Sequence, residues 1–102
     1  MTLEFTPAAS NDLKNIRNYI AQDNPIKAIE FTDFIEQEIY KLRDFPYLGT
    51  IEDASGTELP NSRKYIIRNY IAHYTIFEKE SIIYITRIIN GAVQNYTLLP
   101  LI

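Results

Sequence analysis

The chain contains no cysteine, which excludes disulfide bridges and thiolate metal sites. It has one histidine, His73, too few for a histidine-based metal centre. No apolar run approaches the ~18 residues of a membrane span. No cationic segment followed by an apolar one opens the chain, so the expectation is a soluble cytoplasmic protein without a cofactor or metal. A surplus of positive charge is also missing. Ten Lys and Arg against 13 Asp and Glu leave a net charge of −3, whereas a basic surplus supplies most non-specific affinity for nucleic acid. Local placement is a separate matter. Five of the ten cations (Arg63, Lys64, Arg68, Lys79 and Arg87) lie in the last 40 residues. Internal repeats and low-complexity stretches are absent as well.

What is present fits one globular domain over residues 1–102, with 46% hydrophobic and 23% charged residues. Leu3-Glu4-Phe5 reads as a short edge strand. Thr6-Pro7 places an N-cap before a proline at the first helical position, where its missing N–H costs nothing. Ala9, Leu13, Ile16 and Ile20 then fall on one helical stripe. Asn24-Pro25 repeats the cap, and Ala28, Phe31, Ile35, Ile39 and Leu42 form a second stripe. So short a connection predicts an antiparallel helical hairpin over about residues 7–45. Residues 50–61 carry acids, Gly56 and Pro60 without a period and read as a surface loop. Three Ile- and Tyr-rich strands follow, up to Gly91.

The strand pairing makes a specific prediction. A tight turn at Arg68-Asn69, with Asn taking a positive φ, sets Ile67 opposite Tyr70, Tyr65 opposite Ala72 and Arg63 opposite Tyr74. A second turn in residues 78–81 sets Phe77 opposite Ile82, Tyr74 opposite Ile85 and Ala72 opposite Arg87. Directly paired residues share a face. Arg63, Tyr65, Tyr70, Tyr74, Ile83, Ile85, Arg87 and Ile89 therefore form one expected face, suited to holding a partner, with His73 on the other. A one-residue bulge would reverse this.

Plainer readings stand beside that one. Arg63 and Arg87 can neutralise Glu52, Asp53 and Glu58. His73 reads as a half-buried, hydrogen-bonded residue rather than a catalytic one. Tyr19, Tyr40 and Tyr47 read as core-edge residues, apolar body inward and hydroxyl in water. Ser10, Ser55, Ser62 and Ser81 have no nucleophile signature. The last strand is apolar on both faces, and such strands are usually covered on both. The C-terminal tail, residues 93–102, or a partner (another protein or a second copy) is the expected cover.

Several stretches together resemble the RelE/ParE superfamily of bacterial toxins. They are Asn11-Asp12-Leu13 with Ile16 and Tyr19-Ile20, Asn24-Pro25 with Ala28 and Phe31, Phe45-Pro46-Tyr47-Leu48-Gly49, and Ile85-Thr86-Arg87-Ile88-Ile89-Asn90-Gly91-Ala92. The resemblance implies an α+β fold: an N-terminal strand and a helical hairpin packed on one face of a small antiparallel sheet. It implies the toxin of a type II toxin–antitoxin, plasmid-stabilising system, held inactive by a cognate antitoxin. The ParE-like branch poisons DNA gyrase by binding; the RelE-like branch cleaves messenger RNA on the ribosome, using sheet-face cations and a C-terminal aromatic or histidine. Arg63, Arg87 and Tyr96 match that second set. Yet Glu52, Asp53 and Glu58 stand where a ribonuclease would carry lysines, and Asn90 where many relatives have histidine. The preferred reading is the ParE branch, a binding protein rather than an enzyme. The ribonuclease and a degenerate, non-toxic binding module are its alternatives.

Overall fold

Local capping chemistry starts both helices. In the computed structural model, which describes residues 1–52 and 61–91, α1 spans Pro7–Ala21 and α2 spans Pro25–Tyr40. The Thr6 hydroxyl accepts the Ala9 amide at 3.2 Å, and the Asn24 side chain accepts the Lys27 amide at 3.1 Å. Each cap satisfies an N–H that has no partner inside its helix, with proline in the next position. Residues 22–24 join the two into the expected hairpin, and α2 runs on into a single 3-10 turn, Lys41–Arg43.

The hairpin lies on one face of a five-stranded sheet. Strand β1 (Thr2–Phe5) lies beside β5 (Ile82–Asn90), then come β4 (Tyr70–Phe77), β3 (Ser62–Ile67) and β2 (Thr50–Ile51). Strands β3, β4 and β5 form the predicted antiparallel meander. The sheet is nevertheless mixed, because β1 pairs with β5 in parallel, from Thr2↔Ile82 to Phe5↔Ile85. The two helices carry the chain back across the sheet before β5 begins. The expected loop after residue 50 is also corrected at its start, where Thr50 and Ile51 pair with Lys64 and Arg63. Residues 53–60 lie outside the described residues.

Turn chemistry differs from expectation in one respect. Arg68, not Asn69, takes the positive φ (57°) in the β3–β4 turn. Its guanidinium lies 4.5 Å over the Phe34 ring of α2, and the Asn69 carbonyl accepts the Gly91 amide at 2.8 Å. Those two contacts hold a left-handed residue that costs about 1–2 kcal/mol outside glycine.

The register from the β3–β4 turn is as expected: Ile67↔Tyr70, Tyr65↔Ala72 and Arg63↔Tyr74. Between β4 and β5 it shifts. Phe77↔Ile82 and Tyr74↔Ile85 hold, but the next pair is His73↔Arg87, leaving Thr86 as the extra residue of a β-bulge. Core positions on β5 are consequently Ile83, Ile85 and Ile88, a step of two followed by a step of three.

The core sits between this face and the helical stripes. Ala9, Leu13, Ile16, Ile35, Ile39 and Leu42 are buried there, while Ile20 and Phe31 pack on its margin. Thr32 is buried too. Its hydroxyl donates to the Ala28 carbonyl at 2.9 Å and accepts from Arg17 Nε at 3.1 Å, so its polar atom is satisfied.

Ile39 is fully buried whereas Ile26 is 69% exposed. Ile39→Ala should lower stability by about 2–5 kcal/mol. Ile26→Ala should change it by no more than about 0.5 kcal/mol. Urea midpoints of the two variants test the pair, and equal shifts would place the core elsewhere.

Candidate functional site

The bulge decides where the expected site residues fall. Arg63 pairs with Tyr74 and Arg87 with His73, and these are consecutive on β4. Consecutive strand residues point to opposite faces. The expected single face of eight residues is therefore divided. Arg63, Tyr65, Tyr70, Tyr74, Ile83 and Ile85 lie on the side that the helices cover, and Arg87 and Ile89 lie on the open side with His73. Ile83 and Ile85 are fully buried; they are core, not partner surface. Tyr96 lies outside the described residues.

The tyrosines of the covered face are engaged within the chain. Tyr65 donates to Glu38 Oε1 on α2 at 3.1 Å, and Glu38 is paired with Lys41 at 2.6 Å. The Tyr70 ring packs on Phe31 with centroids 5.7 Å apart. The Tyr74 hydroxyl accepts the Gly49 amide at 2.9 Å and donates to the Pro46 carbonyl at 2.8 Å. Burial pushes the Tyr74 pKa up, with the Gly49 amide and the Arg63 charge pulling the other way, so the hydroxyl keeps the proton it donates. Arg63 completes the contact: Nη1 donates to the Gly49 carbonyl at 2.8 Å, and the guanidinium stacks 5.0 Å from the Tyr47 ring centre. The segment Phe45-Pro46-Tyr47-Leu48-Gly49 is thus bonded to the sheet through its backbone while Phe45, Tyr47 and Leu48 stay exposed. Tyr47 and Tyr19 are not the core-edge residues that were expected; both are mostly exposed.

Gly49 is required here for room. A Cβ on it would lie 2.6 Å from the Lys64 carbonyl oxygen and 2.7 Å from the Tyr74 hydroxyl. Neither atom can move without breaking the β2–β3 pairing or this hydrogen-bonded turn.

On the open face Lys64, His73 and Arg87 form one cross-strand row over β3, β4 and β5. His73 is half-buried and bonded, as expected, with Nδ1 at 2.8 Å from Glu52 Oε1. Its Nε2 is buried without a partner among the described residues. Arg87 reaches round the sheet edge beyond the end of β1. Its Nε and Nη2 bond both carboxylate oxygens of Asp12 on α1, at 2.7 and 3.0 Å. Asp12 Oδ2 also accepts the Ile88 amide at 2.9 Å, the place a further strand's carbonyl would occupy. Glu52 is therefore not their partner: among the described residues Arg63 bonds carbonyls, Arg87 bonds Asp12, and Glu52 bonds His73. Asp53 and Glu58 lie outside the described residues.

Chemically, both candidate cations serve the fold. They face away from each other and have no shared space for one phosphate. Among the described residues no three His, Asp or Glu side chains converge as a metal site would require. Asp12 was not singled out for its chemistry in the sequence, although Asn11-Asp12-Leu13 is part of the toxin resemblance. Its partner is 75 residues away, and no local pattern reports such a pair.

Two outcomes follow from this geometry. Tyr74→Phe removes the acceptor of the Gly49 amide and the donor to Pro46, and should destabilise the protein by about 1–3 kcal/mol in urea unfolding. The second concerns pH. Burial raises the Asp12 pKa, but the hydrogen bonds from Arg87 and Ile88 and the guanidinium charge outweigh it, and the net shift is downward. A lowered folded-state pKa stabilises fully above the unfolded carboxylate value, and that stability is lost as pH falls through the folded one. The stability gap between wild type and Asp12→Asn should hold at neutral pH and shrink on acidification. A gap independent of pH would remove the charge from the account.

Comparisons with known proteins agree with this fold and its motifs. The family described as "ParE toxin of type II toxin-antitoxin system, parDE" matches residues 3–94. No curated protein sequence matches significantly. A solved structure titled "Chromosomal ParDE TA system from P. aeruginosa" is similar to the chain, with a TM-score of 0.71 and 24% identity. The alignment covers 88% of this chain and 95% of that one, a likeness of fold. No helix among the described residues is long and apolar enough to cross a membrane. The chain belongs to the ParE toxin family of type II toxin–antitoxin systems.

Proposed function

We propose that this toxin domain acts by binding, with DNA gyrase as its target, and that a cognate antitoxin holds it inactive in the bacterial cytoplasm. The observation that carries this reading is the separation of Arg63 and Arg87. Phosphodiester cleavage needs cations aimed at one phosphate and an acid and base within reach of the same bond. Here the two arginines face opposite sides of the sheet, and each is bonded within the chain. A surface that acts by contact needs no such convergence. The net charge of −3 points the same way, since an acidic protein gains nothing from the phosphate-rich ribosome. Plasmid stabilisation is the role such a pair would serve.

One observation favours the ribosome-dependent ribonuclease as a second reading. The Lys64–His73–Arg87 row, with Glu52 bonded to the imidazole, brings three ionisable groups together on the open face. Purified protein separates the readings. It should inhibit supercoiling by gyrase and leave ribosome-bound message intact. In a growth assay Tyr96→Phe should leave toxicity nearly unchanged, since only a hydroxyl is removed. A loss matching the roughly 10²–10⁴-fold rate effect of a proton-transfer group would overturn the gyrase reading.

A further inference from the structure

Residues 93–102, one expected cover of the open face, lie outside the described residues. A separate apolar grouping lies on the helix side of the sheet, at the β2 edge. Phe45, Tyr47, Leu48 and Ile51 are each at least half exposed. The Leu48 amide bonds the Phe45 carbonyl at 3.1 Å, so the first three stand in one turn. Ile51 pairs with Arg63 and shares its face, and Arg63 stacks on Tyr47. Apolar side chains grouped in this way mark a contact surface.

The exposure does not come from looseness. Tyr74 and Arg63 bond the backbone of the turn, and the Tyr47 hydroxyl donates to Glu78 at the start of the β4–β5 turn. Contact side chains that are already held lose less freedom on association. Tyrosine and arginine are also among the residues that carry most binding energy at interfaces. Charge then narrows the occupant. Arg63 takes part in none of the ion pairs among the described residues, and its buried Nε has no partner among them. Glu78 is bonded to Tyr47, not to Arg63. A carboxylate brought by a partner would complete Arg63 while apolar groups pack on Phe45, Leu48 and Ile51. A second copy suits the surface poorly. A two-fold contact centred on this turn sets Arg63 against its own counterpart, like charge against like.

We propose that Phe45, Tyr47, Leu48, Ile51 and Arg63 form the surface by which this chain holds its protein target, at an apolar site that carries a carboxylate. The assignment rests on the reading of the toxin as one that acts by binding. Full-length variants test it in a growth assay and in supercoiling by purified gyrase. Leu48 is exposed, so Leu48→Asp and Leu48→Lys should keep the wild-type urea midpoint. Phe45→Ser is a second probe of the same surface. Leu48→Asp should raise the concentration for half-inhibition of supercoiling at least about tenfold and relieve toxicity. Leu48→Lys should lose less, because its charge suits an acidic site; equal losses overturn the carboxylate. Ile26→Asp, on the more exposed Ile26 of α2, should leave both readouts unchanged. A loss there as large as at Leu48 overturns the surface. Wild-type protein that stops growth without inhibiting gyrase overturns the gyrase reading alone, and the toxicity of the Leu48 and Phe45 variants then decides the surface. Full toxicity in folded Leu48→Asp and Phe45→Ser overturns the proposal. Loss of neutralisation by the coexpressed antitoxin, with toxicity intact, would assign the surface to the antitoxin. A wild-type dimer that these variants turn into a monomer, with toxicity intact, would assign it to a second copy.

Discussion

One extra residue in β5 organises the rest of the molecule. Thr86 has no partner in the β4–β5 register, yet its hydroxyl and its carbonyl are both bonded. Its hydroxyl donates to the His73 carbonyl at 3.1 Å, and its carbonyl accepts the Thr6 hydroxyl at 3.1 Å. The bulge is thereby bonded to the N-cap of α1, whose Thr6 amide also donates to Ile85 at 3.0 Å. Beyond the bulge every β5 side chain changes face. Ile88 enters the core, and Arg87 moves to the rim, where Asp12 of the same helix meets it. Bulges are placed features that re-aim side chains; this one fixes α1 to the sheet at both Thr6 and Asp12.

The opposite edge is held by a second polar contact. Tyr74 rises from the covered face to bond the amide of Gly49 and the carbonyl of Pro46, and Arg63 bonds the carbonyl of Gly49. A tyrosine ring and an arginine stem thus contribute apolar area while their polar ends close a backbone turn. The close approach is possible because residue 49 has no side chain. Three exposed apolar side chains, Phe45, Tyr47 and Leu48, are presented by a turn whose backbone is fixed.

Much of this was legible in local chemistry. Threonine and asparagine before proline announced both helix starts, and the apolar steps from Ala9 to Leu42 named the buried stripes, because a helix has a fixed period. The β3–β4 register followed from a two-residue turn. The Phe-Pro-x-Leu-Gly segment was visible as part of a toxin resemblance, though not what it bonds to. The site was read less well. Pairing outward from a turn assumes an unbroken ladder, and Thr86 breaks it; threonine is an ordinary strand residue, so nothing in the local sequence reports the interruption. The left-handed conformation went to Arg68 instead of Asn69 because contacts with Phe34 and Gly91 outweigh intrinsic turn preference.

The amino-acid sequence by itself determined the family, the helical hairpin, the meander and its first register, since each depends on caps, periods and turns within a few residues of one another. Tertiary structure alone decided the parallel addition of β1, the division of the arginines between two faces and the Asp12–Arg87 pair. These depend on which groups meet across the finished sheet, and the deciding groups lie up to 80 residues apart, as Thr6 and Thr86 do. A period of two carries no record of where a ladder skips a residue.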